Sequence, residues 1–194
     1  MSVNDRQTLI LRDGWQVLAT TLERTVVDCA RGEGFAAAVV IGDHAVRNGA
    51  SMDTMWAMVN AAPGRRGVRK ARRVLRALDG RSESPGETRT RLIIAEMNIA
   101  QPDLQVGLVV AGYTYRPDFL WKEQKLIVEF DGDSKYFLYR PTPEVLLAER
   151  KREKRLMEAG WSFVRLEWHH LANPAEVKRR ILTAFHTCQS AIAA

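Results

Sequence analysis

The chain has 194 residues, enough for one solid core with a small appended domain. Hydrophobic residues make up 46% and charged residues 27%, the balance of a globular protein rather than a disordered one. Two distant cysteines exclude a disulfide framework and fit a cytoplasmic location, and the run FAAAVVIG is far too short to span a bilayer, so no membrane role is expected. Residues 1–10 are mostly polar and show no signal peptide. The net charge is +6, and the excess is uneven. Residues 65–91 hold ten Lys or Arg against three acids, and RKREKR at 150–155 carries five cations in six positions. Clusters of this kind suit a polyanion, nucleic acid before membrane.

From the N-terminus, Asp13-Gly14 between two apolar runs predicts a hairpin. Thr20 or Thr21 can cap a helix through about Arg31, with Leu22, Val26 and Cys29 as its stripe. A second helix is expected at 35–47, ending at Asn48-Gly49, and a third after Ser51 with Met52, Met55, Trp56 and Val59 inward. The fourth spans Arg65–Leu78, with Val68, Ala71, Leu75 and Leu78 on one stripe and Arg69, Arg72, Arg73 and Arg76 opposite. That basic face reads either as a DNA-backbone contact or as a solvated outer surface. GRSESPG at 80–86 is a linker, and it divides a basic hairpin-plus-helix region, 1–80, from a second domain, 81–194.

The second domain opens with a helix at 87–99 and a strand at 104–111. Two strands follow, Tyr113–Trp121 and Lys125–Asp131, joined by a polar turn. Period-two alternation puts Glu129 and Asp131 on one face, and Asp118 joins them if the register sets it opposite. Carboxylates crowded in an apolar setting repel, and a divalent cation relieves that repulsion. The ordinary alternative is a set of salt-bridged acids on a solvated sheet. A helix at 143–159 puts Leu146, Glu149, Glu153 and Leu156 on one stripe, and Lys151, Arg152 and Lys154 are candidate DNA contacts. A strand at Trp161–Trp168, with Phe163 and Leu166 buried, and a helix at 174–190 complete the order αβββαβα, an α/β fold with a small helical N-terminal region. His169-His170 is not expected to be a zinc pair.

Pro117-Asp118, followed eleven residues later by Glu129-Phe130-Asp131-Gly132, resembles the PD-(D/E)XK nuclease superfamily. The wider string RPDFLW…LIVEFDG…KY is similar to restriction-endonuclease-like domains related to very-short-patch-repair (Vsr) endonuclease, which occur at the C-terminus of actinobacterial AbiEi-like antitoxin proteins. The resemblance implies a restriction-endonuclease-like core and a Mg²⁺-dependent DNA endonuclease serving defence or repair. It implies Mg²⁺ (or Mn²⁺) held by Asp118, Glu129 and the Phe130 carbonyl, with Glu87 beside the site. Asp131 stands where the superfamily has lysine, so the missing cation would come from Lys135 or from Lys151; the very-short-patch enzymes carry a histidine there. The catalytic set is then Asp118, Glu129, Asp131, Lys135 and Glu87. DNA is the implied partner, and a homodimer or a toxin partner is compatible with the resemblance. Related full-length proteins carry a winged-helix domain ahead of the region that starts here near Thr8, and this chain is expected to lack it. The alternative function is a non-catalytic DNA-binding or antitoxin-like regulator that keeps the nuclease fold. If Asp118 and Glu129 point to opposite faces, or arginine side chains occupy the cleft between them, the nuclease reading fails and that alternative stands. A self-repelling acid cluster also predicts that Asp118→Asn leaves the fold intact or slightly more stable.

Overall fold

The structure, a computed structural model, describes residues 5–132 and 143–193. It is mixed α/β, in two compact units, Met1–Ser84 and Pro85–Ala194. The division falls inside the 80–86 linker.

In the first unit, β1 (Arg6–Ile10) pairs antiparallel with β2 (Gln16–Thr20), with Thr8 opposite Leu18. Gly14 turns the hairpin at φ 85, and the Leu11 and Trp15 backbones close it at 2.8 Å. Four helices follow: α1 (Leu22–Gly32), α2 (Phe35–Arg47), α3 (Met52–Asn60) and α4 (Val68–Ala77). The caps follow from side-chain chemistry. Thr21 accepts the Arg24 N–H, and Ser51 accepts the Thr54 N–H, satisfying donors that the helix leaves unpaired. The stripe of α1 differs from the expected one. Val26, Val27 and Ala30 are buried, while Leu22 is 40% exposed. The fourth helix starts later than Arg65, because Gly67 at φ 83 is left-handed and cannot continue a right-handed helix.

In the second unit, α5 (Pro85–Ala95) precedes a four-stranded sheet of order β3-β6-β7-β8. These strands are β3 (Asp103–Leu104), β6 (Phe119–Trp121), β7 (Leu126–Phe130) and β8 (Ser162–Leu166). The first two pairings are antiparallel and β7–β8 is parallel. A parallel neighbour requires a long crossover, and the segment between these strands contains α6 (Pro143–Glu158). A separate ribbon joins β4 (Leu108–Val110) to β5 (Tyr113–Tyr115). Thus 104–111 is not one strand, and neither is Tyr113–Trp121. Pro117 has no N–H for a ladder and restricts Arg116, so the chain breaks between β5 and β6. A short helix α7 (Trp168–Leu171) takes the last residue of the expected strand, Trp168, and leads into α8 (Pro174–Ala193).

Alternation along β7 divides the core. Leu126, Val128 and Phe130 pack with Ile94 of α5 and Val177, Ile181 and Phe185 of α8. Ile127 faces the other way, with Leu120, Leu156 of α6, Tyr115 and Trp161. Each such side chain, fully buried, contributes about 1.5–3 kcal/mol. The sheet is therefore covered on both faces, which is why KLIVEF reads as a nearly unbroken apolar run. No helix among the described residues is long and apolar enough to cross a membrane.

Candidate functional site

The register of β6 and β7 positions the acids. Phe119 pairs with Val128, so Asp118, one residue earlier, comes opposite Glu129, one residue later. Both have the parity of Leu120 and Ile127, hence the face covered by α6. Asp131 has the same parity and follows the end of β7. Asp118, Glu129, Phe130 and Asp131 line one cleft of about 170 Å³, and Arg116, Arg152 and Arg165 line it with them.

Each acid has a defined partner. Asp118 Oδ2 accepts the Phe130 N–H at 2.8 Å, and Asp118 Oδ1 accepts Gln105 Nε2 at 2.8 Å. Gln105 Nε2 also donates to Glu87 Oε2 at 3.0 Å. One amide group therefore stands between the carboxylates of Asp118 and Glu87. Two carboxylates on one terminus of the side chain settle which end carries the NH₂. Arg152 Nη2 donates to Glu129 Oε1 at 2.9 Å. Arg165 reaches Asp131 at 3.8 Å and donates to Glu153 Oε2 at 3.0 Å. Glu153 thus borders the site through an arginine. Leu146 and Glu149, expected on the same stripe, have side chains outside the described set.

The expected self-repelling cluster is corrected by these contacts. Neutral N–H donors bond Asp118, and guanidinium groups face Glu129 and Asp131, so the charges of those two acids are offset within the protein. Among the described residues no group of three or more His, Cys, Asp or Glu is arranged to hold a metal. Lys135 lies outside the described residues. Lys151 is exposed on α6, and Lys154 is paired loosely with Glu158 at 3.7 Å.

Glu87 is placed by a close approach. A Cβ at Gly86 would overlap the Phe130 ring, so only glycine lets the first turn of α5 lie against β7. The Phe130 ring also packs edge-on against Trp168, with centroids 5.1 Å apart. Glu87 is 7% exposed.

Sequence reasoning missed Gln105, Arg116 and Arg165. Gln105 has φ 55, a left-handed conformation that costs a side-chain-bearing residue about 1–2 kcal/mol. Strain of this kind gathers at functional positions, but no local sequence pattern announces it. Arg116 sits directly before the Pro-Asp pair, and Arg165 lies at the β8 position paired with Glu129. The four arginines of α4 divide. Arg69 and Arg72 line a cleft of the first unit, while the Arg73 guanidinium lies 4.2 Å from the centre of the Phe35 ring and Arg76 is exposed in the last turn.

No family model matches the chain, and no solved structure matches it. Two curated proteins of Mycobacterium tuberculosis are similar to it, the uncharacterized proteins MT2308 of strain CDC 1551 / Oshkosh and Rv2248 of strain H37Rv. Each is 30% identical over 149 residues, covering 76% of this chain and 54% of the relative. The chain thus spans about half the length of the curated relatives it matches.

Proposed function

We propose that the second unit is a Mg²⁺-dependent DNA endonuclease on a restriction-endonuclease-like core, as its resemblance to the PD-(D/E)XK superfamily implies. One observation carries the reading. Asp118, the residue before β6, falls opposite Glu129 of β7 when the Phe119–Val128 register is extended by one, and with Asp131 they line the same cleft. The donor set suits Mg²⁺ in kind, since that ion takes hard oxygens and is commonly held by one or two carboxylates plus waters and substrate phosphate. Its number is small, and Arg152 already occupies Glu129. Bound there, Mg²⁺ would polarise the phosphodiester and acidify an attacking water.

The chain's own residues supply the rest. Gln105 and the Phe130 N–H fix the Asp118 carboxylate by two hydrogen bonds. Arg116, Arg152 and Arg165 offer guanidinium forks for phosphate oxygens, which carboxylates could not do. Asp131, in place of the lysine, can accept a proton but cannot stabilise developing negative charge. An arginine of the cleft, or Lys135, must do that.

A second reading is favoured by the Arg152–Glu129 contact and by Asp131 itself. It is a DNA-binding or antitoxin-like protein that keeps the nuclease fold without cleavage. Arg116, Arg152 and Arg165 line the cleft with the acids, which meets in part the condition set for rejecting cleavage, so this reading stands beside the first. Incubation with supercoiled, mismatched and single-stranded DNA, with Mg²⁺ or EDTA, separates the two. The endonuclease reading expects nicking that needs Mg²⁺ and disappears in Asp118→Asn. DNA bound but intact on every substrate leaves the second.

A further inference from the structure

We infer that the first unit carries its own site for the phosphodiester backbone of a nucleic acid, in the cleft between the end of α1 and the start of α4. The cleft measures about 820 Å³ and is lined by Arg31, Arg65, Arg66, Arg69, Lys70 and Arg72. Among the described residues its single carboxylate is Asp28. That charge is already taken, because Arg24 Nε and Nη2 donate to the two Asp28 oxygens at 2.7 and 2.8 Å. From Pro63 to Ala77 the chain holds seven Lys or Arg and no Asp or Glu. Solvated surfaces intersperse the two signs, whereas this one concentrates a single sign in a concavity.

The fold builds the cleft rather than leaving it to chance. Gly64 and Gly67 have φ 72 and φ 83, so the turn between them follows a path other residues adopt with strain. Arg31 Nε donates to the Arg66 carbonyl at 3.0 Å, pinning that turn to the end of α1. The approach is so close that a Cβ at Gly67 would come within 2.6 Å of the Arg31 carbonyl oxygen. Arg65, Arg66, Arg69 and Lys70 are thereby presented exposed on consecutive turns. Helix α4 begins without a side-chain cap, so its first-turn N–H groups add to the positive end. Arginine outnumbers lysine five to one in the lining, which favours bidentate binding of phosphate oxygens. The site moves the expected contact off the outer face of α4. Arg69 and Arg72 belong to it, while Arg73 and Arg76 do not. It requires no acid of the second unit and does not rest on the endonuclease reading.

Fluorescence anisotropy tests it with short labelled duplex DNA, single-stranded DNA and RNA of equal length, all in EDTA so that no cleavage intervenes. R65E/R66E/R69E is expected to weaken nucleic-acid binding about tenfold or more, and to lower the slope of log affinity against log salt by about two to three. R65Q/R66Q/R69Q should do the same to a lesser degree, which guards against a folding artefact. R73E/R76E should change affinity by less than about threefold. Wild-type affinity in both triple variants, or an equal loss in R73E/R76E, overturns the proposal. Binding to phosphatidylserine vesicles with none to the nucleic acids overturns it in favour of a membrane surface. Nucleic-acid binding that is lost in the triple variants, together with no Mg²⁺-dependent cleavage, would sink only the endonuclease reading.

Discussion

Arg152 Nη2 lies 2.9 Å from Glu129 Oε1, so an acid at the centre of the sheet shares its cleft with a cation from α6. The arginine side chain is 38% exposed and the glutamate 19%. An ion pair this open to water is worth only about 1 kcal/mol or less. That is small enough for a divalent ion or a DNA phosphate to displace. Arg152→Gln should therefore tighten Mg²⁺ binding to the DNA-free protein several-fold, read by titration calorimetry. Equal Mg²⁺ affinity in the variant would mean that arginine and metal do not compete for Glu129.

Asp118→Asn separates charge repulsion from hydrogen bonding. The sequence-based expectation is an intact or slightly more stable fold. The contacts argue the reverse, because both carboxylate oxygens accept N–H donors, Phe130 N and Gln105 Nε2. An asparagine keeps one acceptor and turns an NH₂ group against a donor. A loss of about 1–3 kcal/mol in urea unfolding is expected. Wild-type or greater stability would restore the repulsion account.

Gly86→Ala tests how α5 is docked. The added methyl would collide with the Phe130 ring, which is itself held by Trp168. The variant should lose about 1–3 kcal/mol, offset only slightly by alanine's better helix propensity. If Glu87 and Asp118 act through this docking, the same variant loses cleavage more than DNA binding. A melting temperature equal to wild type would show that α5 can shift without cost.

His170 gives a pH dependence. Burial, then the charges of Arg180 and His169, hold its pKa below the usual 6.5, outweighing Glu167 and Glu176. Its Nδ1 accepts the Glu167 N–H at 2.9 Å, which requires that nitrogen unprotonated. The folded state binds the proton less tightly than the unfolded chain. This contribution is thus complete above about pH 6.5 and is lost as pH falls through the lowered folded pKa. Urea unfolding at several pH values should show the decline in wild type and its absence in His170→Gln. The same decline in both proteins would assign it to another group.

The amino-acid order by itself determined the local features: the Asp13-Gly14 hairpin, the caps at Thr21 and Ser51 and the shared face of Glu129 and Asp131. Each is a short-range consequence of turn chemistry, of capping or of a two-residue period. What stands opposite what was decided only by tertiary structure. The β6–β7 register brings Asp118 to Glu129, and Gln105, in a strained left-handed conformation, bridges Asp118 to Glu87. Arg152 meets Glu129 across 23 positions, because the parallel β7–β8 pairing places α6 against that face. Likewise the arginines of α4 look equivalent on a helical wheel. The close approach of Gly67 to Arg31 is what gathers Arg69 into a cleft and leaves Arg76 outside it. Periodicity assigns a residue to a face, but the partner across that face depends on long-range pairings that no local spacing encodes.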